Sequence, residues 1–312
     1  MNRVLVTGAN GFVASALIPV LTTKGYTVRG VTRLSCNGVP DNKDVGEIGL
    51  HTDWSSALVG VDSVVHLAAR VHVMNEQSSD SLAAFRRVNL DGTKRLVEQA
   101  AAAGVKRFVF VSTIKVNGEE TEEVPFRAED KPAPQEPYAV SKLEAECALQ
   151  HVCEGTAMEW VVIRPPLVYG PGVKGNFFRL LKLVTKGIPL PFQSGTNVRS
   201  LVSVYNLCDL IERCLESHAA ANKVFLVSDD EDVNIQELLL KMALAMDVPS
   251  RLFCLPPQVL RIMASLFGKK NEINRLLGSL EVDITDTRES LDWEPPFSLD
   301  QGLRRTVSLW NI

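Results

Sequence analysis

Along the first half of the chain, short apolar runs alternate with longer stretches in which apolar residues recur every three or four positions. Val4-Leu5-Val6, Thr27–Val31, Ser63–Ala69, Phe108–Val111 and Trp160–Ile163 read as buried strands. Leu17, Ile18, Val20 and Leu21, the segment Leu82–Ala103, and Tyr138 through Leu143, Ala145, Ala148 and Leu149 have helical spacing. Strand and helix in turn predict an α/β fold, a doubly wound parallel sheet covered on both faces. The alternation stops at Arg164-Pro165-Pro166-Leu167-Val168-Tyr169-Gly170-Pro171-Gly172, where prolines and glycines break it, so a boundary falls near residue 165.

Beyond it the pattern is mixed. Helices are predicted at Asn176–Lys186, Asn206–Glu216 and Ile235–Met246, and strands at Arg199–Val204 and Val224–Val227. Segments Pro257–Phe267 and Glu272–Leu277 and a closing helix Leu303–Trp310 complete the chain. The expected organisation is a nucleotide-binding lobe of residues 1–165, rejoined by about 199–220. A smaller mixed α/β lobe, 166–198 and 221–312, would bind substrate.

Composition narrows the class. With 46% hydrophobic and 22% charged residues over 312 positions, the chain can bury a large core. A net charge of -4 gives no reason to expect nucleic acid or an anionic membrane as partner. Six cysteines without C-x-x-C spacing suggest reduced thiols rather than disulfides or a zinc site, and no metal is expected. The start of the chain does not read as a signal peptide and no apolar run spans a bilayer, so a cytoplasmic location without membrane contact is expected.

Candidate chemistry begins at Thr7-Gly8-Ala9-Asn10-Gly11-Phe12-Val13-Ala14, between the first strand and first helix. Gly8 suits a tight turn, and Gly11 lets backbone approach a pyrophosphate seated at the helix N-terminus. Ala14 stands where a third glycine would ease helix packing. The second strand ends at Arg33 rather than at an acidic residue, which favours a 2′-phosphate, hence NADP(H) over NAD(H). An exposed strand-end arginine needs no such role. Glu47 and Ile48 could edge an adenine pocket, and the small residues after Leu67, Ala68 and Ala69, leave room for a dinucleotide across the strand tops. His66, within an apolar strand, reads as a hydrogen-bonded core residue rather than a ligand. Ser112 and Thr113 end a strand where ligands bind in open α/β sheets. Tyr138 and Lys142 sit four apart on one helical face, so a cation beside the phenol is expected to bring its pKa towards neutrality and make a proton donor and acceptor. A solvated helix face can carry the same spacing.

Taken in order, the Thr7–Val13 turn, His66-Leu67-Ala68-Ala69, Asn89 before Gly92-Thr93, Thr113 and the Tyr138/Lys142 pair resemble the extended short-chain dehydrogenase/reductase family over essentially the whole length. Within it, Ala69–Glu76, Ser112–Gly118 and Arg164–Gly172 look like enzymes related to UDP-glucose 4-epimerase, and most like 4-keto-reductases that make 6-deoxy-N-acetylhexosamines for surface polysaccharides. The resemblance implies a Rossmann fold with Tyr138 as acid/base, Lys142 lowering its pKa and contacting the nicotinamide ribose, and Thr113 holding the reacting oxygen. It places Gly8, Asn10, Gly11, Phe12, Val13, Arg33, Glu47, Ile48, Leu67, Ala68, Ala69, Asn89, Ser112 and Pro165 with Tyr138 and Lys142 around the cofactor. Val73, Thr113, Asn176 and Arg199 fall on the nucleotide-sugar side. A homodimer through the helices at 82–103 and 138–153 is implied too. Asn117, where epimerases commonly have tyrosine, and the lack of a clear arginine-rich pattern near 278–283 set the chain apart from simple UDP-glucose epimerases. The leading expectation is C4 reduction of a UDP-4-keto sugar, the alternative C4 epimerisation, and, from another class, a non-catalytic dinucleotide sensor.

Overall fold

The computed structural model describes residues 2–34, 38–71, 81–192, 197–256, 259 and 278–309. Val73, most of the segments 257–267 and 272–277, and Trp310 lie outside the described residues.

The predicted strands become β1 (Arg3–Thr7), β2 (Thr27–Thr32), β4 (Ser63–His66), β5 (Arg107–Val111) and β6 (Glu159–Arg164), with a two-residue edge strand β3 (Lys43–Asp44). All pair in parallel, in the order β3-β2-β1-β4-β5-β6 followed by a seventh strand, β9 (Lys223–Leu226). The chain winds outward in one direction from β1 through β2 and in the other from β4, so the order reverses between β1 and β4. In an open α/β sheet such a reversal opens a crevice at the strands' C-terminal ends.

Strand β9 corrects the expected organisation, which assigned Val224–Val227 to the second lobe. It pairs with β6 in register Val162↔Val224 and Ile163↔Phe225, and Phe225 is fully buried in the first core. Helix α7 (Val204–Glu216) brings it there by packing against α1 (Phe12–Thr23) on one face of the sheet.

Alternate strand residues feed two cores. Val4, Val6, Val65, Val109, Val161 and Ile163 meet α1 and α7. Leu5, Val64, Phe108, Phe110 and Val162 meet the opposite layer, built from α2 (Ser55–Leu58), α4 (Gly92–Ala102) and α5 (Pro137–Cys153). Both faces are thus dry, as the continuous apolar runs required. The expected single helix over 82–103 is α3 (Ser81–Arg86) and α4 joined through a π turn, Arg87–Asp91.

A third core lies in the second lobe, among β7 (Leu167–Tyr169), α6 (Gly175–Thr185), β8 (Leu201–Ser203), α8 (Ile235–Ala245) and the closing helix α10 (Leu299–Ser308); α9 (Thr285–Leu291) packs beside β9. Segment 279–282 ties the lobes together: Thr121 N donates to Ser279 O at 2.9 Å, and Ser200 N donates to Leu280 O at 2.8 Å. Among the described residues, no helix is long and apolar enough to cross a membrane.

Candidate active site

Two clefts open at the C-terminal end of the sheet. The first, of ≈ 380 Å³, is lined by Gly8, Asn10, Gly11, Arg33, Glu47, Ile48, Leu67, Ala68 and Ala69, all expected around a cofactor. Its floor explains the glycines. Gly8 has φ +64°, and a Cβ there would stand 3.1 Å from the Ala68 backbone; a Cβ on Gly11 would meet the Gly8 carbonyl oxygen at 2.9 Å. Gly11 caps α1 with no side-chain bond, leaving the first-turn N–H groups to an anion. A glycine-floored cleft with an uncapped helix N-terminus fits a dinucleotide pyrophosphate.

His66 is structural, as expected. Thr7 Oγ1 accepts from the N–H groups of Leu67 and Ala68, both at 3.1 Å, so its own proton goes to His66 Nδ1 at 2.7 Å. Nε2 therefore carries the ring hydrogen and donates to Thr93 Oγ1 at 2.9 Å. Burial lowers the imidazole pKa to about 3, with a smaller push from Lys142. The neutral ring fixes the strand end that forms the cleft floor.

Other expected cofactor residues lie beside this cleft without lining it. Phe12 and Val13 pack into the core as α1 begins. Asn89, within the π turn, is committed to positioning: Oδ1 accepts from Arg70 N at 2.8 Å, and Nδ2 donates to Arg70 O at 3.1 Å and Ser141 Oγ at 3.0 Å. The Pro165 carbonyl accepts from Ile114 N at 2.9 Å, and Ser112 has a buried hydroxyl oxygen with no protein partner. Arg70 was not singled out from the sequence, although it follows Ala69 directly; it lines the cleft with its guanidinium 5.9 Å from the Phe85 ring.

The second cleft, ≈ 420 Å³, lies between the lobes and brings together Thr113, Tyr138, Asn176 and Arg199. Strand β5 delivers Thr113, whose Oγ1 accepts from Lys115 N at 3.3 Å and caps a 3₁₀ turn. Pro137 starts α5 with its fixed φ, placing Tyr138 in the first turn. Tyr138 meets Phe85 edge-on, ring centroids 6.0 Å apart. Pro166, Leu167 and Val168 form an apolar stretch of the wall, while Lys115 and Glu119, neither singled out beforehand, add charge to it.

Lys142 is 2% exposed; its Nζ donates to the Val111 carbonyl at 2.8 Å and lies 3.8 Å from the Phe110 ring centroid. Burial lowers its pKa to about 7, partly opposed by Glu146, and burial raises the Tyr138 phenol to about 12. The Lys142 ammonium is thus directed at the end of β5, one helical turn after Tyr138 in α5.

Behind the pair lies a buried ion pair. Arg164 Nη2 contacts Glu146 Oε2 at 2.6 Å, Nε lies 3.2 Å from both oxygens, and Nη1 donates to Asn117 Oδ1 at 3.0 Å. Asn117 Nδ2 donates in turn to the Arg127 carbonyl at 2.8 Å. The position expected to distinguish this chain from epimerases thus helps anchor α5.

The model of the NAD dependent epimerase/dehydratase family matches residues 4–235. The chain belongs to that family. It is an enzyme of the short-chain dehydrogenase/reductase type, similar to UDP-glucose 4-epimerase of Vibrio cholerae, 46% identical over 98% of this chain and 94% of that one. It also resembles N-acetyl-alpha-D-glucosaminyl-diphospho-ditrans,octacis-undecaprenol 4-epimerase of Escherichia coli O157:H7, 27% identical over 98% of this chain and 94% of the relative. Among solved structures, UDP-N-acetylglucosamine 4-epimerase of Bacillus cereus shares the fold with a TM-score of 0.80 at 19% identity, covering 99% of both chains.

Proposed function

We propose that this enzyme transfers hydride at C4 of a UDP-linked hexose, with Tyr138 as acid/base and Thr113 holding the reacting oxygen. The observation that carries the reading is the shared cleft: Thr113 and Tyr138 line the same cavity as Asn176 and Arg199, at the same end of the sheet as the glycine-floored cleft. In this reading C4 sits at the two hydroxyls, and the nucleotide and its diphosphate lie towards Asn176 and Arg199. The dinucleotide, when bound, supplies or accepts the hydride at its nicotinamide ring. Around it Gly8 and Gly11 admit the pyrophosphate, Lys142 holds the ribose, and Arg33 at the open rim receives a 2′-phosphate, favouring NADP(H).

For direction, the leading reading is net reduction of a UDP-4-keto-6-deoxy-N-acetylhexosamine destined for surface polysaccharide. The Tyr138 phenol, which burial keeps protonated at neutral pH, can donate its proton to a forming C4 alkoxide. Pro166, Leu167 and Val168 offer an apolar surface to a C6 methyl. A second reading, C4 epimerisation of UDP-glucose or UDP-N-acetylglucosamine, is favoured by the 46% identical relative that carries the epimerase name. It uses the same residues, oxidising the alcohol and returning hydride to the other face. Pairing of two chains through the outer faces of α4 and α5, and a cytoplasmic setting, belong to the same reading.

The test follows nicotinamide absorbance. Purified enzyme is mixed with NADPH and the UDP-4-keto-6-deoxy sugar, and separately with UDP-glucose or UDP-N-acetylglucosamine. Stoichiometric loss of NADPH with the ketone supports reduction. Interconversion of epimers with no loss of absorbance refutes it in favour of epimerisation.

A further inference from the structure

Two segments carry the proposed chemistry, the turn after β5 with Thr113 and the first turn of α5 with Tyr138, and one lysine joins them. Lys115 lies in the 3₁₀ turn that Thr113 Oγ1 caps, and Glu136 is the N-cap residue of α5, just before Pro137 and Tyr138. Lys115 Nζ donates to Glu136 Oε2 at 2.5 Å, and Glu119 Oε2 holds the same ammonium at 3.0 Å. The Lys115 side chain is 24% exposed and each carboxylate 17%, so water screens the bridge only in part.

The first turn of a helix is loosely held, because its N–H groups have no partner within the helix. Glutamate is not among the residues that cap well, and the Glu136 side chain makes no cap hydrogen bond; it turns to Lys115 instead. A backbone tie stands further back: Ala133 N donates to Val116 O at 3.0 Å, with Pro134 and Gln135 between that bond and the N-cap. The 3₁₀ turn is itself pinned to the end of β6, where Ile114 N donates to Pro165 O at 2.9 Å. Lys115 therefore transfers the position of the Thr113 turn to the start of α5. A partly exposed ion pair adds little to stability, whereas a misplacement of about 1 Å between reacting groups can cost roughly 100-fold in rate.

We propose that Lys115 is a positioning residue: by clamping Glu136 it sets the placement of Tyr138 relative to Thr113, the two hydroxyls that must reach one oxygen. This rests on the reading of Thr113 and Tyr138 as the reacting pair, which Tyr138→Phe tests separately. Wild type, Tyr138→Phe, Lys115→Met, Lys115→Arg, Glu136→Gln and the double variant Lys115→Met/Glu136→Gln are assayed with NADPH plus a UDP-4-keto-6-deoxy-N-acetylhexosamine, and with UDP-glucose. In Lys115→Met, kcat falls roughly 10- to 100-fold, while KM for the sugar and Kd for NADPH stay within about twofold. Lys115→Arg, which can still pair with both carboxylates, recovers most of the rate. Glu136→Gln is slowed as Lys115→Met is, and the double variant is no slower than the slower single, because the two residues act as one unit. Wild-type kcat in Lys115→Met, or single losses that multiply in the double variant, overturns the inference. So does a rise in KM at unchanged kcat, which would show that Lys115 binds substrate directly. A wild type that turns over neither substrate, or a Tyr138→Phe enzyme with undiminished turnover, overturns the functional reading, and this inference with it.

Discussion

Tyr138 lines the cleft between the lobes while Lys142, one turn later, is buried against the end of β5, and their pKa values move in opposite directions for the same reason, burial. Replacing Tyr138 by Phe should reduce turnover at least about 100-fold, the usual contribution of a positioned acid, and leave dinucleotide affinity within about twofold. A variant that keeps most of its turnover would remove the mechanism. Arg33, exposed at the rim of the cofactor cleft, should matter to one cofactor only: Arg33→Ala should weaken NADPH more than NADH, read from KM for each. His66 makes a stability prediction with a definite sign. Its folded pKa, about 3, lies below the ordinary 6.5, so between these values the unfolded state binds more protons. Stability from this group is present above about pH 6.5 and is lost on acidification towards pH 3. The difference in unfolding free energy between wild type and His66→Gln should therefore shrink as pH falls through that window, by up to about 1.4 kcal/mol per unit. Denaturant titrations at several pH values check this, and a constant difference would show that the ring is not held neutral.

At the scale of elements, the site depends on how α5 and the helix before it are seated. The π turn between α3 and α4 carries Asn89, whose amide is spent on the Arg70 backbone and Ser141, joining the cleft lip to α5. Such turns recur at functional sites because they re-aim a side chain within a helix. The Glu146–Arg164 pair, 1% and 5% exposed at its side chains, holds α5 from behind. Glu146→Ala should cost about 3–5 kcal/mol, because it leaves a buried guanidinium without its counterion. The denaturation midpoint measures that loss, and a change below about 1 kcal/mol would mean water or Asn117 takes over the charge. The hydrophobic period announced these helices to within a few residues. It could not announce the π turn, because one extra residue barely perturbs the apolar spacing. Nor could it mark Lys115 and Glu119, whose importance arises only when the Thr113 turn meets the start of α5.

In the molecule as a whole, strand and helix alternation made the parallel sheet legible as far as residue 165, and the glycine turn, Thr113 and Tyr138 pointed to the two clefts that they line. The assignment of Val224–Val227 to the second lobe failed because a four-residue apolar run does not say which sheet edge it meets. Only α7, returning across the sheet to α1, brings it to β6. The same return places the second cleft between lobes, with residues as distant in sequence as Thr113, Asn176, Arg199 and Leu280 on one wall system. The most direct measurement supplies NADPH deuterated at the transferring position together with a UDP-4-keto-6-deoxy-N-acetylhexosamine, and examines the sugar by NMR. Deuterium at C4 of the product with wild-type enzyme, and none with Tyr138→Phe, is the expected result. An untouched ketone, or label at any carbon other than C4, would contradict hydride transfer to C4.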